Sequence, residues 1–245
     1  MRQLMSWSMV GCLLLAGAAS AQSVVLEQLA TESPRTTMLE FKLGNYLPQI
    51  DKEKGLTGKP YESTFGGGAM LMLEVEGEWQ FFQGFGSAAV GFSVGYAEKF
   101  GKATQVNPDG TTAPGSDSTG LRVVPLRLLG IYRFDVAANE WGIPLVPYVK
   151  AGLVGIPYWV TKGEDLERVN GQPASGMRFG YQVTGGLALQ LDFLDRRFAR
   201  DFDSGLGINH SYLFAEFTLA NVDNFGSRGL VLSHRSWLFG LGLEY

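Results

Sequence analysis

Hydrophobic and polar positions alternate with period 2 along most of this chain. The last nine residues show it best. Trp237, Phe239, Leu241, Leu243 and Tyr245 share one face of an extended strand, and Ser236, Leu238, Gly240, Gly242 and Glu244 share the other. The same pattern predicts eight strands, over residues 37–46, 68–79, 84–98, 119–134, 144–161, 177–192, 209–222 and 233–245. In the sixth, Phe179, Tyr181, Val183, Leu187, Leu189 and Leu191 oppose Arg178, Gln182, Thr184, Gln190 and Asp192. In the second, Leu71, Leu73, Val75 and Trp79 oppose Met70, Met72, Glu74, Glu76 and Glu78. Charges on a lipid-facing surface would each cost up to a few kcal/mol near the bilayer midplane. The polar faces are therefore expected to point inward and the apolar faces outward. The predicted fold class is all-β: an eight-stranded antiparallel transmembrane β-barrel with one short periplasmic helix.

That arrangement puts Glu40, Lys42, Glu74, Glu76, Glu78, Arg127, Arg133, Lys150, Arg178, Asp192, Glu216 and Glu244 in the lumen. Both signs are present, and charges in a narrow lumen need partners. A salt-bridged, packed interior is expected, with room for side chains or one small ligand but no wide channel. Aromatic residues fall at both ends of the runs: Trp79, Tyr132, Phe134 and Tyr245 at the inner rim, and Tyr96, Trp159, Phe179 and Trp237 at the outer rim. Such rings favour the lipid–water interface. They fit a soluble barrel with an aromatic core less well. Trp237, Phe239, Leu241, Leu243 and Tyr245 are expected to form the barrel-closing strand and to act as the assembly signal.

The connections differ in length. Outward loops are expected at 47–67, 99–118, 162–176 and 223–232, rich in Gly, Pro, Asn and charge. Inward connections at 80–83 and 135–143 are short, as barrels prefer. The third, 193–208, is longer. Asp195 can cap a helix there, with Leu194, Phe198 and Phe202 spaced by four and Gly205 near the end. Arg196, Arg197 and Arg200 take the other side. This segment would pack beneath the barrel, or touch the inner leaflet or a periplasmic partner.

The N-terminus points to export. Arg2, the apolar stretch Met9 to Ala19 and the small residues of Ala19-Ser20-Ala21 read as a signal peptide over 1–21. The stretch is too short for a spanning helix; an uncleaved anchor or lipidation at Cys12 are the alternatives. Residues 22–36 form a short N-terminal segment, and 37–245 the barrel. The expected location is the bacterial outer membrane.

Composition removes several chemistries. The 245 residues carry a net charge of −4 with no clustered basic stretch, so nucleic acid is not an expected partner. Cys12 is the only cysteine and lies in the signal peptide, so no disulfide or thiolate site is expected in the mature protein. His210 and His234 are the only histidines, too few for a histidine-rich metal site. No metal and no cofactor is expected.

The chain resembles an outer-membrane β-barrel family best represented in myxobacteria, some of whose members are linked to gliding motility. Three stretches carry the likeness: 39–51 (LEFKLGNYLPQID), 132–136 with 141–152 (YRFDV, WGIPLVPYVKAG) and 206–217 (LGINHSYLFAEF). The resemblance implies no catalytic residues and fixes no molecular activity.

Some small outer-membrane barrels are enzymes that modify lipid A. The deacylase kind uses a His-x-Ser pair facing lipid. His234-Arg235-Ser236 has that spacing, yet both residues are in phase with Gly240 and Gly242 and would point into the lumen. Asn209-His210-Ser211 puts His and Ser on opposite faces. Gly66-Gly67-Gly68 lacks the lysine of a phosphate loop. No catalytic residue is assigned. The expected function is a structural or interaction scaffold in the cell envelope, within a motility or other envelope complex. Its expected partners are outer-membrane lipid, the barrel-assembly machinery and envelope-complex proteins. A narrow ion or small-solute channel is the alternative, and a lipid-modifying barrel is a weaker one.

Overall fold

The computed structural model describes residues 35–106, 112–163, 165–169, 171–192 and 208–245. The predicted signal peptide and the predicted helix, with Asp195, Arg196, Arg197 and Arg200, lie outside the described residues. Among the described residues there are twelve strands: β1 (Thr37–Tyr46), β2 (Met70–Gly84), β3 (Gly86–Val106), β4 (Thr112–Val123), β5 (Leu126–Arg133), β6 (Leu145–Lys162), β7 (Asp165–Leu166), β8 (Arg168–Val169), β9 (Gln172–Pro173), β10 (Ser175–Gln190), β11 (His210–Asn221) and β12 (His234–Glu244). The long ones pair antiparallel in a ring, β1–β2–β3–β4/β5–β6–β10–β11–β12, and β12 returns to β1. Closure is in register, with Leu39 opposite Leu243, Phe41 opposite Leu241 and Leu43 opposite Phe239. A closed ring leaves no open sheet edge, as a sheet in lipid requires.

Counting β4 and β5 as one, the ring has eight strands. The fourth predicted strand is broken because Val124 and Pro125 interrupt it. Pro125 has no N–H for the ladder. The neighbours reorganise around it: the Gly95 N–H donates to the Pro125 carbonyl at 2.8 Å, and the Val124 N–H to the Pro157 carbonyl at 3.0 Å. Below the break β5 pairs with β3 and β6, and above it β4 does.

The connections differ from the sequence reading in several places; within the expected loop 162–176, β7 pairs with β6 and β8 with β9. The expected inward loop at 80–83 is strand, and the turn lies at Phe85, where Gly86 takes φ 96°. Much of the expected loop 99–118 is a hairpin, because β3 and β4 stay paired to Val106 and Thr112. Loop 47–69 is folded rather than open. It contains a 3-10 turn, Ile50–Lys52, and a short helix, α1 (Pro60–Phe65). Pro60 stands at its N-terminus, and the Asp51 carboxylate accepts from the Tyr61 N–H at 2.7 Å and the Glu62 N–H at 3.1 Å. These donors have no partner within the helix, so Asp51 acts as the cap. A second short helix, α2 (Val136–Asn139), lies between β5 and β6. The rim carrying Thr37 and Glu244 is the lower rim; loop 47–69 and the β3–β4 hairpin lie at the upper rim.

The outward faces are apolar. Phe41, Leu43, Leu71, Leu73, Val75, Phe92, Leu128, Val149, Leu153, Val183, Leu187, Leu213, Leu219 and Phe239 are all exposed. A water-soluble barrel would not display so continuous an apolar belt. At 10 to 21 residues, the single strands of the ring are long enough to cross a bilayer when tilted. Trp79, Phe81, Phe82 and Phe85 stand exposed near the lower rim, and Tyr96, Phe100, Phe179 and Trp237 toward the upper.

Candidate functional site: a three-layered lumen

The inner faces are filled, and the filling is layered. Most of the large charged side chains come from β1, β2, β5, β6 and β11. Between β2 and β5, from Ser87 to Ala97, β3 presents only small inward residues, Ser87, Ala89, Gly91, Ser93, Gly95 and Ala97, and beside β1 the inward face of β12 includes Ser236, Gly240 and Gly242. Small residues facing large ones let eight strands close around long charged side chains. The approach is tight at Gly152, where a Cβ would lie 1.9 Å from the Leu128 carbonyl oxygen.

The middle layer is a charged belt. Lys150 Nζ lies 2.5 Å from Glu40, 2.6 Å from Glu76 and 3.1 Å from Glu78. Lys42 Nζ lies 2.6 Å from Glu76, 3.1 Å from Glu40 and 3.1 Å from Glu216. Arg133 donates to Glu40 at 2.7 Å and to Glu78 at 2.6 Å. Arg127 pairs with Glu74, and its other nitrogen lies 3.8 Å from the Met72 sulfur. Every one of these nine charges is buried.

Below the belt is an aromatic layer. Tyr148, Tyr212, Phe214, Met38, Val146 and Ala188 are buried together. The Tyr148 hydroxyl donates to Glu216 at 3.1 Å, and its ring faces Lys150 at 5.2 Å and Arg133 at 5.7 Å. Above the belt the lumen turns apolar: Tyr46, Met70, Met72, Leu121, Val123, Val154, Ile156, Leu232 and Leu238 form one buried cluster. Ile50 and Tyr61, from loop 47–69, complete it from above. Burial pushes the Tyr61 hydroxyl up to about 12, aided by the nearby Asp51 charge, so it stays a neutral donor to the Gly68 carbonyl at 2.7 Å.

Three of the twelve expected lumen charges stand apart from the belt. Arg178 lies at the upper rim, where it donates to the Arg228 carbonyl at 3.3 Å. Asp192 lies at the lower rim, paired with His210 and accepting from Gln190 at 2.8 Å. Partial burial works against its charge, but the His210 and Gln190 bonds win and hold the carboxyl below its usual value. Glu244 is buried but meets Gln80 at 2.7 Å and the Tyr212 hydroxyl at 2.9 Å, with no cation among its hydrogen-bond partners. Period 2 assigns a face; it does not assign depth. The apolar upper layer was missed for the same reason, since an inward Leu121 or Ile156 reads like any other strand residue. The outward positions of the closing strand are exposed at Trp237, Phe239 and Leu241, and partly covered at Leu243 and Tyr245.

Metal binding was tested on the belt itself. Carboxylate oxygens of Glu40, Glu76 and Glu78 come within 4.8 Å of one another. Lys150 already contacts all three, and Lys42 and Arg133 take further oxygens, so a cation would have to displace ammonium and guanidinium groups. The belt does not fit a metal site. His234 and Ser236 are buried on the inner wall, His234 stacked on Tyr46 with ring centroids 4.5 Å apart. Neither reaches the lipid face.

The closed ring and its apolar belt define an eight-stranded transmembrane β-barrel, an architecture of outer membranes. Comparison with family models and with curated proteins gives no match. Among solved structures, the outer membrane protein OprG from Pseudomonas aeruginosa aligns at 10% identity and TM-score 0.45, covering 87% of this chain and 97% of its own. Neisserial surface protein A aligns at 14% and 0.42, covering 85% and 95%. The outer membrane enzyme PagL aligns at 14% and 0.41, covering 84% and 97%. Likenesses at this level carry no argument; the barrel rests on its own strand ring.

Proposed function

We propose that the protein is an outer-membrane β-barrel that serves as a closed scaffold in an envelope complex and is neither a pore nor an enzyme. The observation that carries this reading is the filled lumen. Charges in the belt are paired with one another, aromatic rings lie below them, and an apolar cluster completed by Tyr61 lies above. A conducting pore would instead favour a hydrated, single-signed wall. Binding then falls to the loops, where it usually resides. The resemblance to barrels linked to motility supports an envelope complex as the setting, with segment 193–208 as a second contact surface. The closing strand, with Trp237, Phe239, Leu241, Leu243 and Tyr245, is the part the assembly machinery would read.

Planar-bilayer recording of the purified barrel tests the closed lumen. The expected record shows no stable current steps. Large, stable, ion-selective currents would make the channel reading correct. Deleting 195–204 should disturb the envelope complex and leave heat-modifiable mobility intact; an undisturbed complex would remove that segment as a contact.

A further inference from the structure

The outer wall carries a groove of about 430 Å³ that no part of the scaffold reading uses. Its lining is apolar: Leu126 and Leu128 of β5, Leu153 of β6, and Met177 and Phe179 of β10, with Phe225 from the loop after β11. Gly155 sits on the floor. It is an outward position opposite Phe179, and its missing side chain leaves the notch into which Met177 and Phe179 lean.

Phe225 is what sets this groove apart from the rest of the belt. It is two-thirds exposed and adopts φ 58°. A bulky residue in the left-handed region is uncommon and costs free energy unless its surroundings hold it. Here they do. Asn224, with φ 54°, donates its N–H to the Phe179 carbonyl at 2.9 Å and accepts the Phe179 N–H on Oδ1 at 2.7 Å. That pair of bonds fastens the β11–β12 loop to the outer edge of β10. It places Phe225 against the lipid-facing wall, on the same groove as Met177 and Phe179. The groove is continuous with the apolar belt, since Phe92, Leu128 and Leu153 belong to both.

We propose that this groove binds one acyl chain of a membrane lipid, held between Phe225 and the Met177 and Phe179 side chains packed over Gly155, as a retained lipid distinct from the mobile shell. The inference rests on the reading of the chain as a membrane-spanning barrel. The occupant is a lipid chain because the groove is lined by outward residues of the bilayer-facing belt. A flexible, unbranched chain fills a shallow apolar channel along its length, and the aromatic ring supplies a broad flat contact.

The test uses the full chain refolded in detergent micelles with added dipalmitoyl phosphatidylglycerol, read by native mass spectrometry. Wild type should retain one lipid per barrel through the dissociation of detergent. Phe225→Ala removes the clamp, and Met177→Trp fills the notch from an outward position. Each should lower retention about tenfold, the scale of one lost aromatic packing contact. Leu213→Ala, on another part of the belt, should retain lipid as wild type does. Heat-modifiable mobility of every variant separates lost lipid from a lost barrel, and failure of wild type itself to show it would overturn the membrane reading instead. Lack of a retained lipid in wild type, or equal retention in all variants, would overturn the proposal. So would a dimer that Met177→Trp dissociates, since the groove would then be a protein interface.

Discussion

Among the described residues Lys150 makes more side-chain hydrogen bonds than any other charge in the belt, and replacing it with Met is the sharpest test of that layer. Met has nearly the same length and removes only the ammonium group. Three carboxylates, on Glu40, Glu76 and Glu78, lose a partner that stood 2.5–3.1 Å away. Lys42 and Arg133 remain, but each already serves other carboxylates. With an effective dielectric near 20, unit charges 4 Å apart interact by about 4 kcal/mol. The gross loss from three contacts therefore exceeds 10 kcal/mol, roughly, before the recovered desolvation of the lysine is subtracted. Removing one partner from a buried pair typically costs about 3–5 kcal/mol net, and Lys150→Met should fall at the top of that range or above. The assay is urea unfolding in detergent micelles, followed by the mobility shift of the folded barrel. Adding Glu76→Gln removes one of the stranded negative charges. The double variant should then be more stable than Lys150→Met alone, a coupling of about 0.5–3 kcal/mol by the double-mutant cycle. The reasoning fails if Lys150→Met unfolds within about 1 kcal/mol of wild type, or if Glu76→Gln makes it worse.

Three other outcomes are expected. Asp51→Ala should free the N-terminus of α1, at a cost of about 1 kcal/mol confined to loop 47–69; hydrogen exchange should quicken at Tyr61 and Glu62 while barrel-strand protection is unchanged. Gly152→Val should block the barrel outright, because even a Cβ collides with the Leu128 backbone, and the folded band should be missing after refolding. Tyr61→Ala should loosen the upper cluster and raise proteolysis within 47–69, while planar-bilayer current stays absent because the charged belt still fills the layer below.

Much of the barrel could be read from the sequence, because one physical requirement, apolar outside and not inside, writes itself as period 2. Glu74, Glu76 and Glu78 on alternate positions of β2 leave little freedom about which way that strand faces. What escaped was whatever depends on height along the barrel axis. Arg178, Asp192 and Glu244 face inward but lie at or near the rims, where a loop carbonyl, a histidine or a neutral donor meets them. The upper apolar layer escaped because Leu121, Ile156 and Leu232 announce burial without saying against what. Loop 47–69 read as turn residues and charge. Its folded form depends on Asp51 reaching across ten positions to the Tyr61 N–H, which no local pattern encodes.

Why the belt is charged at all is a separate question, since apolar residues of similar volume often replace buried ion pairs without loss of stability. The answer lies in the alternatives the chain must avoid. Slipping a strand by one residue exchanges its two faces. In β2 a slip would drive Glu74, Glu76 and Glu78 into lipid and bring Leu71, Leu73 and Val75 into the lumen. Each misplaced charge would cost as much as a few kcal/mol near the midplane, so the wrong register is penalised several times over. An all-apolar lumen would carry no such penalty. A variant with Glu40, Lys42, Glu74, Glu76, Glu78, Arg127, Arg133, Lys150 and Glu216 all replaced by Met or Leu should therefore still enter micelles. It should refold to several bands of heat-modifiable mobility where wild type gives one. A single band with wild-type mobility would show that packing alone sets the register.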